Sequence, residues 1–209
     1  KVQSGVAPRY AVRSWRVTYV SSDKHGAPVT ASGLISVPLK AAGARSPVLG
    51  YQHATTFRDD QAPGNKVEPV EPPIVLASLG YVVVSPDYMG FGAAKGLEHP
   101  YLTAAPSAAV VVDMLHAAQS WRQQNAVADN GQLFLAGYSE GGYVTLAAQR
   151  AIEQAGGTLR QQLQASVPGG GPYDVQATMD AQVEAVRERN STLGKLFEPH
   201  RLSKAPEWV

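Results

Sequence analysis

The sequence predicts an α/β fold, a mostly parallel sheet between helices with an antiparallel hairpin at its N-terminal edge and no sign of further C-terminal strands. Three observations predict it. Two alternating segments flank a glycine turn near the start of the chain. Short continuous apolar runs then recur between helical stretches. Residues 176–209 are more charged and helix-prone, with no clear buried strand.

Residues 15–20 (Trp-Arg-Val-Thr-Tyr-Val) alternate apolar and polar, as a half-buried strand does. The turn Asp23-Lys24-His25-Gly26 follows, and residues 29–37 return as the second hairpin strand, closed by Pro38. From there the rhythm is strand–helix–strand. Residues 47–51 form a short apolar strand, and residues 72–79 a short helix with Pro72 at its start and Gly80 just past its end. Residues 81–84 are apolar throughout, which fits a strand covered on both faces. In the helix predicted over 107–122, Ala108, Val111, Val112, Leu115 and Ala118 share one face. Residues 133–136 are the next buried strand, 143–154 the next helix with Gly156-Gly157 as its stop, and 164–167 one more strand. This divides the chain into a core over 1–175 and a helical remnant, or lead-in to further sequence, over 176–209.

The bulk properties narrow the function. With a net charge of +1 and no block of like charges, nothing points to nucleic acid or an anionic membrane. No apolar run approaches the ~20 residues that span a bilayer. The absence of cysteine excludes disulfides and thiolate metal sites. A chain opening on Lys1 rather than Met fits removal of a signal peptide as well as a trimmed N-terminus, and the expectation is a secreted or periplasmic protein.

Chemistry concentrates in Gly137-Tyr138-Ser139-Glu140-Gly141-Gly142, between the run at 133–136 and the helix at 143–154. A serine on a tight strand-to-helix turn, with glycines two before and two after, is a nucleophile elbow: the turn holds the hydroxyl at a helix N-terminus, whose dipole favours developing negative charge. The N–H of Glu140 would be one oxyanion donor; its side chain is expected in solvent. The loop Tyr51-Gln52-His53-Ala54-Thr55-Thr56 follows a strand where a second donor belongs, the N–H of Ala54 or Thr55. His53 is read as packing within that turn or bordering the pocket. Asp87, in Asp87-Tyr88-Met89-Gly90-Phe91-Gly92, is read as a loop anchor rather than a catalytic acid.

With these segments, Ala31 through Pro38, His99-Pro100-Tyr101-Leu102 and Gly171-Pro172-Tyr173-Asp174 complete a set that resembles bacterial α/β hydrolases of the secretory lipase or esterase kind, in the order that family has them. The resemblance covers most of the chain. It implies an α/β-hydrolase sandwich, ester hydrolysis through an acyl-enzyme on Ser139, no metal and no organic cofactor. Tyr88, His99 and Tyr101 then take structural or pocket-lining roles, since a base at His99 would precede the nucleophile, against the order Ser…Asp/Glu…His.

The 70 residues after Ser139 hold Asp174 and one histidine, His200, as candidates for the acid and base. No strand–loop pair follows Asp174 to present His200, so both partners are expected from sequence beyond this chain, such as a C-terminal fragment or second chain that completes sheet and triad. The readings are an esterase acting on a small-molecule ester, a serine peptidase or acyltransferase on the same elbow, and a catalytically inactive hydrolase-fold module that binds a ligand or partner.

Overall fold

The computed structural model describes residues 7–189, which divide after Gly171 into two units. The first carries a six-stranded sheet in the order β1-β2-β4-β3-β6-β7. The hairpin β1 (Val12–Ser22) and β2 (Pro28–Pro38) is antiparallel over its whole length, and β2 pairs antiparallel with β4 (Val82–Pro86). From β4 onward every pairing is parallel, through β3 (Ser46–Gln52), β6 (Asp129–Tyr138) and β7 (Leu163–Gly169).

Side-chain alternation along the parallel strands sorts the helices onto two faces. Val48, Val82, Val84, Leu133 and Leu135 meet α2 (Ala104–Gln124) and α3 (Glu140–Ala155) through Val110, Val111, Met114, Val144 and Ala148. The residues between them, Leu49 and Val83, meet Ala77 of α1 (Pro72–Ser78) on the opposite face, with Phe134 and Ala136 half-buried beside them. The core-facing stripe of α2 is centred on Val110 and Met114, a small rotation from the face the sequence suggests, because the helix packs against both the sheet and α3.

Two elements escape the sequence pattern. β5 (Gly90–Leu97) is glycine-rich, without alternation, and lies outside the six-stranded order; it reads as loop for that reason. α4 (Gly157–Gln162) begins at once after the glycine that ends α3, so the pair read as a stop is also a start. The second unit contains α5 (Val175–Arg189), where Asp174 accepts the Ala177 N–H at 2.8 Å as an N-terminal cap does. No helix among the described residues is long and apolar enough to cross a membrane.

The connectivity prepares the site. After β3 the chain moves out to β4, then returns to the other side of β3 as β6. The carboxyl ends of β3 and β6 therefore flank a reversal of strand order, where open α/β sheets form their ligand crevices.

Candidate active site

β6 runs without a linker into α3, and Ser139 is the single residue between them. Its backbone has φ 58° and ψ −122°, a conformation that non-glycine residues adopt only when their surroundings enforce it. The enforcement is visible: the Ser139 N–H donates to the Gly169 carbonyl at the end of β7 at 2.9 Å, and the Ser139 carbonyl accepts from Gly142 at 2.9 Å and Tyr143 at 3.2 Å. The helix thus starts at Glu140, three residues before the periodicity suggests, because the elbow glycines are already helical.

The two flanking glycines are required by close approach of main chain. A methyl group on Gly141 would overlap the carbonyl oxygen of Gln52, and one on Gly137 would overlap that of Gly141. Gln52 is fully buried at the end of β3, opposite Gly137 in register, with its amide 2.8 Å from the Thr145 hydroxyl of α3. The end of β3 is therefore fastened to the helix that follows the serine.

The loop after β3 places Ala54 and Thr55 beside the elbow, since Gly141 lies against the Gln52 and His53 carbonyls. The Glu140 N–H at the first turn of α3 is one of the donors a helix start leaves without an intrahelical partner. A cleft of about 260 Å³ opens along this loop, walled by Tyr51, Thr56, Pro63, Pro72 and Pro73, with the Lys66–Glu71 ion pair (2.6 Å) among its lining.

His53 is buried, with Nδ1 2.8 Å from the Ala54 carbonyl and its ring stacked on Tyr88 at 3.9 Å. Burial holds its imidazole below the ordinary pKa, against the opposing pull of neighbouring carbonyls and of Glu140. Tyr88 is buried too, with φ 66°, and donates its hydroxyl to the His53 carbonyl at 3.0 Å. Burial pushes its phenol well up. Tyr101 is half-exposed, its hydroxyl 3.1 Å from Thr55 Oγ1. Asp87 is fully buried and accepts from the Ser32 hydroxyl and the Gly64 N–H, both at 2.6 Å, which is an anchor's arrangement.

The Glu140 side chain corrects the sequence expectation. It is 1% exposed rather than solvated, and Oε1 lies 2.6 Å from His99 Nε2. His99 Nδ1 is in turn 2.9 Å from the Met89 carbonyl. Burial pulls the His99 pKa down, but the hydrogen bond and charge of Glu140 and the Met89 carbonyl outweigh it and leave it raised. Nothing in the spacing of His99 and Glu140 announces this pair, because an elbow motif constrains the main chain of that position and not its side chain.

Among the described residues no histidine hydrogen-bonds the Ser139 hydroxyl; His99 and His53 spend both ring nitrogens elsewhere. Asp174 belongs to the second unit, and His200 lies outside the described residues. No group of three or more metal-ligating side chains occurs among the described residues.

Comparison with known proteins follows the same lines. A search of the curated proteins returns no match. Among solved structures, the rice cell wall degrading esterase LipA from Xanthomonas oryzae is 36% identical, with a TM-score of 0.74, over 81% of this chain and 45% of that one. A hydrolase from Legionella pneumophila, described as putative, is 30% identical with a TM-score of 0.72, over 80% and 45%. Lipase A of Candida antarctica, at 19% identity and a TM-score of 0.55 over 74% and 37%, shares the fold. The chain spans less than half the length of each. Residues 71–191, more than half of the chain, match the prolyl oligopeptidase family. The sheet order, the elbow and this match agree: the chain is an α/β hydrolase and belongs to the prolyl oligopeptidase family.

Proposed function

We propose that this chain is the nucleophile-bearing part of a serine hydrolase that cleaves carboxylic esters through an acyl-enzyme on Ser139. The observation that carries the reading is the Ser139 backbone at φ 58°, held at the N-terminus of α3 next to the loop Ala54–Thr55. Attack by the hydroxyl on an ester carbonyl would place negative charge on its oxygen, and the N–H groups of Glu140 and of Ala54 or Thr55 would receive it. Departure of the alcohol leaves the acyl group on Oγ, and water then releases the acid. A serine hydroxyl needs a neighbouring base. In this reading the base and its acid come from outside the described residues, on the remainder of the protein or on a second chain.

Likeness to the Xanthomonas esterase favours an ester as substrate. The family match favours a second reading, a serine peptidase on the same elbow, with acyl transfer as a variant of the same chemistry. The test is a panel of p-nitrophenyl esters against peptide p-nitroanilides, with fluorophosphonate labelling located by peptide mass. Ester turnover with label on Ser139 supports the esterase. Preference for the anilides moves the assignment to the peptidase. A folded full-length protein that takes no label and turns over neither would be a binding module on a hydrolase fold.

A further inference from the structure

We propose that His99 is a positioning residue for the oxyanion hole: as an imidazolium with both N–H groups engaged, it clamps the Glu140 side chain and thereby fixes the Glu140 main-chain N–H. This rests on the reading of Ser139 as a nucleophile.

The protonation follows from the geometry together with the pull of Glu140 on the ring. Nδ1 faces the Met89 carbonyl at 2.9 Å, which can only accept. Nδ1 must then carry a hydrogen. Nε2 faces the Glu140 carboxylate at 2.6 Å, and a short contact of that kind is a charge-assisted hydrogen bond with a proton between the two atoms. The raised pKa that Glu140 gives His99 places that second proton on the ring, which makes it a cation with the carboxylate as its countercharge. With both nitrogens committed, His99 has no lone pair for the serine, so it is not the base.

Burying a carboxylate is costly unless it is paired. Here the cost is only partly met, because Glu140 Oε2 is also buried and has no hydrogen-bond partner. An elbow needs no carboxylate at this position for its main chain to turn. Glu140 instead ties the first residue of α3 to the segment that begins at Asp87. That segment also holds the other donors: Asp87 is pinned by Ser32 and Gly64, and the next residue, Tyr88, grips the His53 carbonyl just before Ala54. The rings of His53, Tyr88 and His99 lie in succession, with centroids 3.9 and 6.0 Å apart and interplanar angles of 23° and 1°. One segment thus sets the distance between the two sources of oxyanion N–H, a distance that tolerates only about 0.5 Å of error. The titratable groups around the His99 ring are Glu140 from α3, Tyr88 and Tyr101 from its own connection, and His53 beyond Tyr88; the Phe91 ring closes the remaining side.

The test uses the full-length protein and the variants His99→Gln and Glu140→Gln. In the unmodified protein, nitrogen-15 spectra of the His99 ring are expected to show two protonated nitrogens, with a titration midpoint above 6.5 that falls in Glu140→Gln. In His99→Gln, kcat for a p-nitrophenyl ester is expected to drop about 10–100-fold with KM within about twofold, somewhat less than outright loss of an oxyanion donor. The alkaline limb of the kcat profile at the His99 midpoint disappears with it. A neutral His99 ring at pH 6, or unchanged kcat in a folded His99→Gln protein, overturns the proposal. If the unmodified protein neither turns over esters nor takes a fluorophosphonate, the activity reading fails separately. The clamp is then decided by the Glu140 amide resonance, which shifts in His99→Gln if the proposal holds and stays in place if it does not.

Discussion

A side chain at φ 58° is tolerated at Ser139 because three main-chain hydrogen bonds hold it there, and the strain is of order 1–3 kcal/mol. Two substitutions separate the hydroxyl from the strain. Ser139→Ala removes the proposed nucleophile and keeps the Cβ, and ester turnover should fall at least about a thousandfold, with no fluorophosphonate label, at nearly unchanged stability. Ser139→Gly should be equally inactive yet unfold at higher urea concentration, by about 1 kcal/mol relative to the alanine variant, since glycine adopts this backbone without penalty. Asp87 makes the opposite case. Asp87→Ala leaves the Ser32 O–H and the Gly64 N–H without their acceptor in a buried site, and a loss of about 2–4 kcal/mol is expected by chemical denaturation. Both residues are legible in the sequence, the serine from its glycines and flanking elements, the aspartate from the turn it opens. Glu140 is not, because its partner lies 41 positions earlier and no local pattern links the two.

At the scale of elements, the site is only as accurate as the seam between β3, β6 and α3. Leu135 is fully buried in that seam, and Leu135→Ala should destabilise by about 2–5 kcal/mol. Gly141→Ala should do something different: its methyl group would push β3 away from the elbow at the Gln52 carbonyl, so labelling at Ser139 should slow far more than unfolding free energy would suggest. The strands β3, β4 and β6 are readable from sequence because sheets covered on both faces demand unbroken apolar runs. β5 is unreadable because its residues answer to a turn and an aspartate rather than to a sheet. α4 is unreadable because a glycine pair carries the same meaning at a helix end and at a helix start.

For the whole molecule, two histidines pull the pH dependence of stability in opposite directions. His53 has its folded pKa lowered by burial, so its contribution is complete above the unfolded value of 6.5 and is lost as pH falls through the folded value. His99 has its folded pKa raised, with burial opposing and Glu140 prevailing; its contribution is complete below 6.5 and is lost as pH rises through the folded value. Urea midpoints measured across pH should therefore form a dome near 6.5, with His53→Gln flattening the acid limb and His99→Gln the alkaline one. Both histidines are plain in the sequence and neither sign is, since the sign depends on which residues burial brings to each ring.

The hydrogen bond from the Ser139 N–H to the Gly169 carbonyl joins positions 30 residues apart, across the pairing of β6 with β7. It cannot form before β7 docks beside β6, and that docking must first take up the freedom of the chain between them. The reactivity proposed for Ser139 is thus a clock for assembly. In a refolding reaction sampled by pulses of fluorophosphonate, collapse and α3 formation would precede reactivity, and Ser139 would acquire its label only when β7 docks.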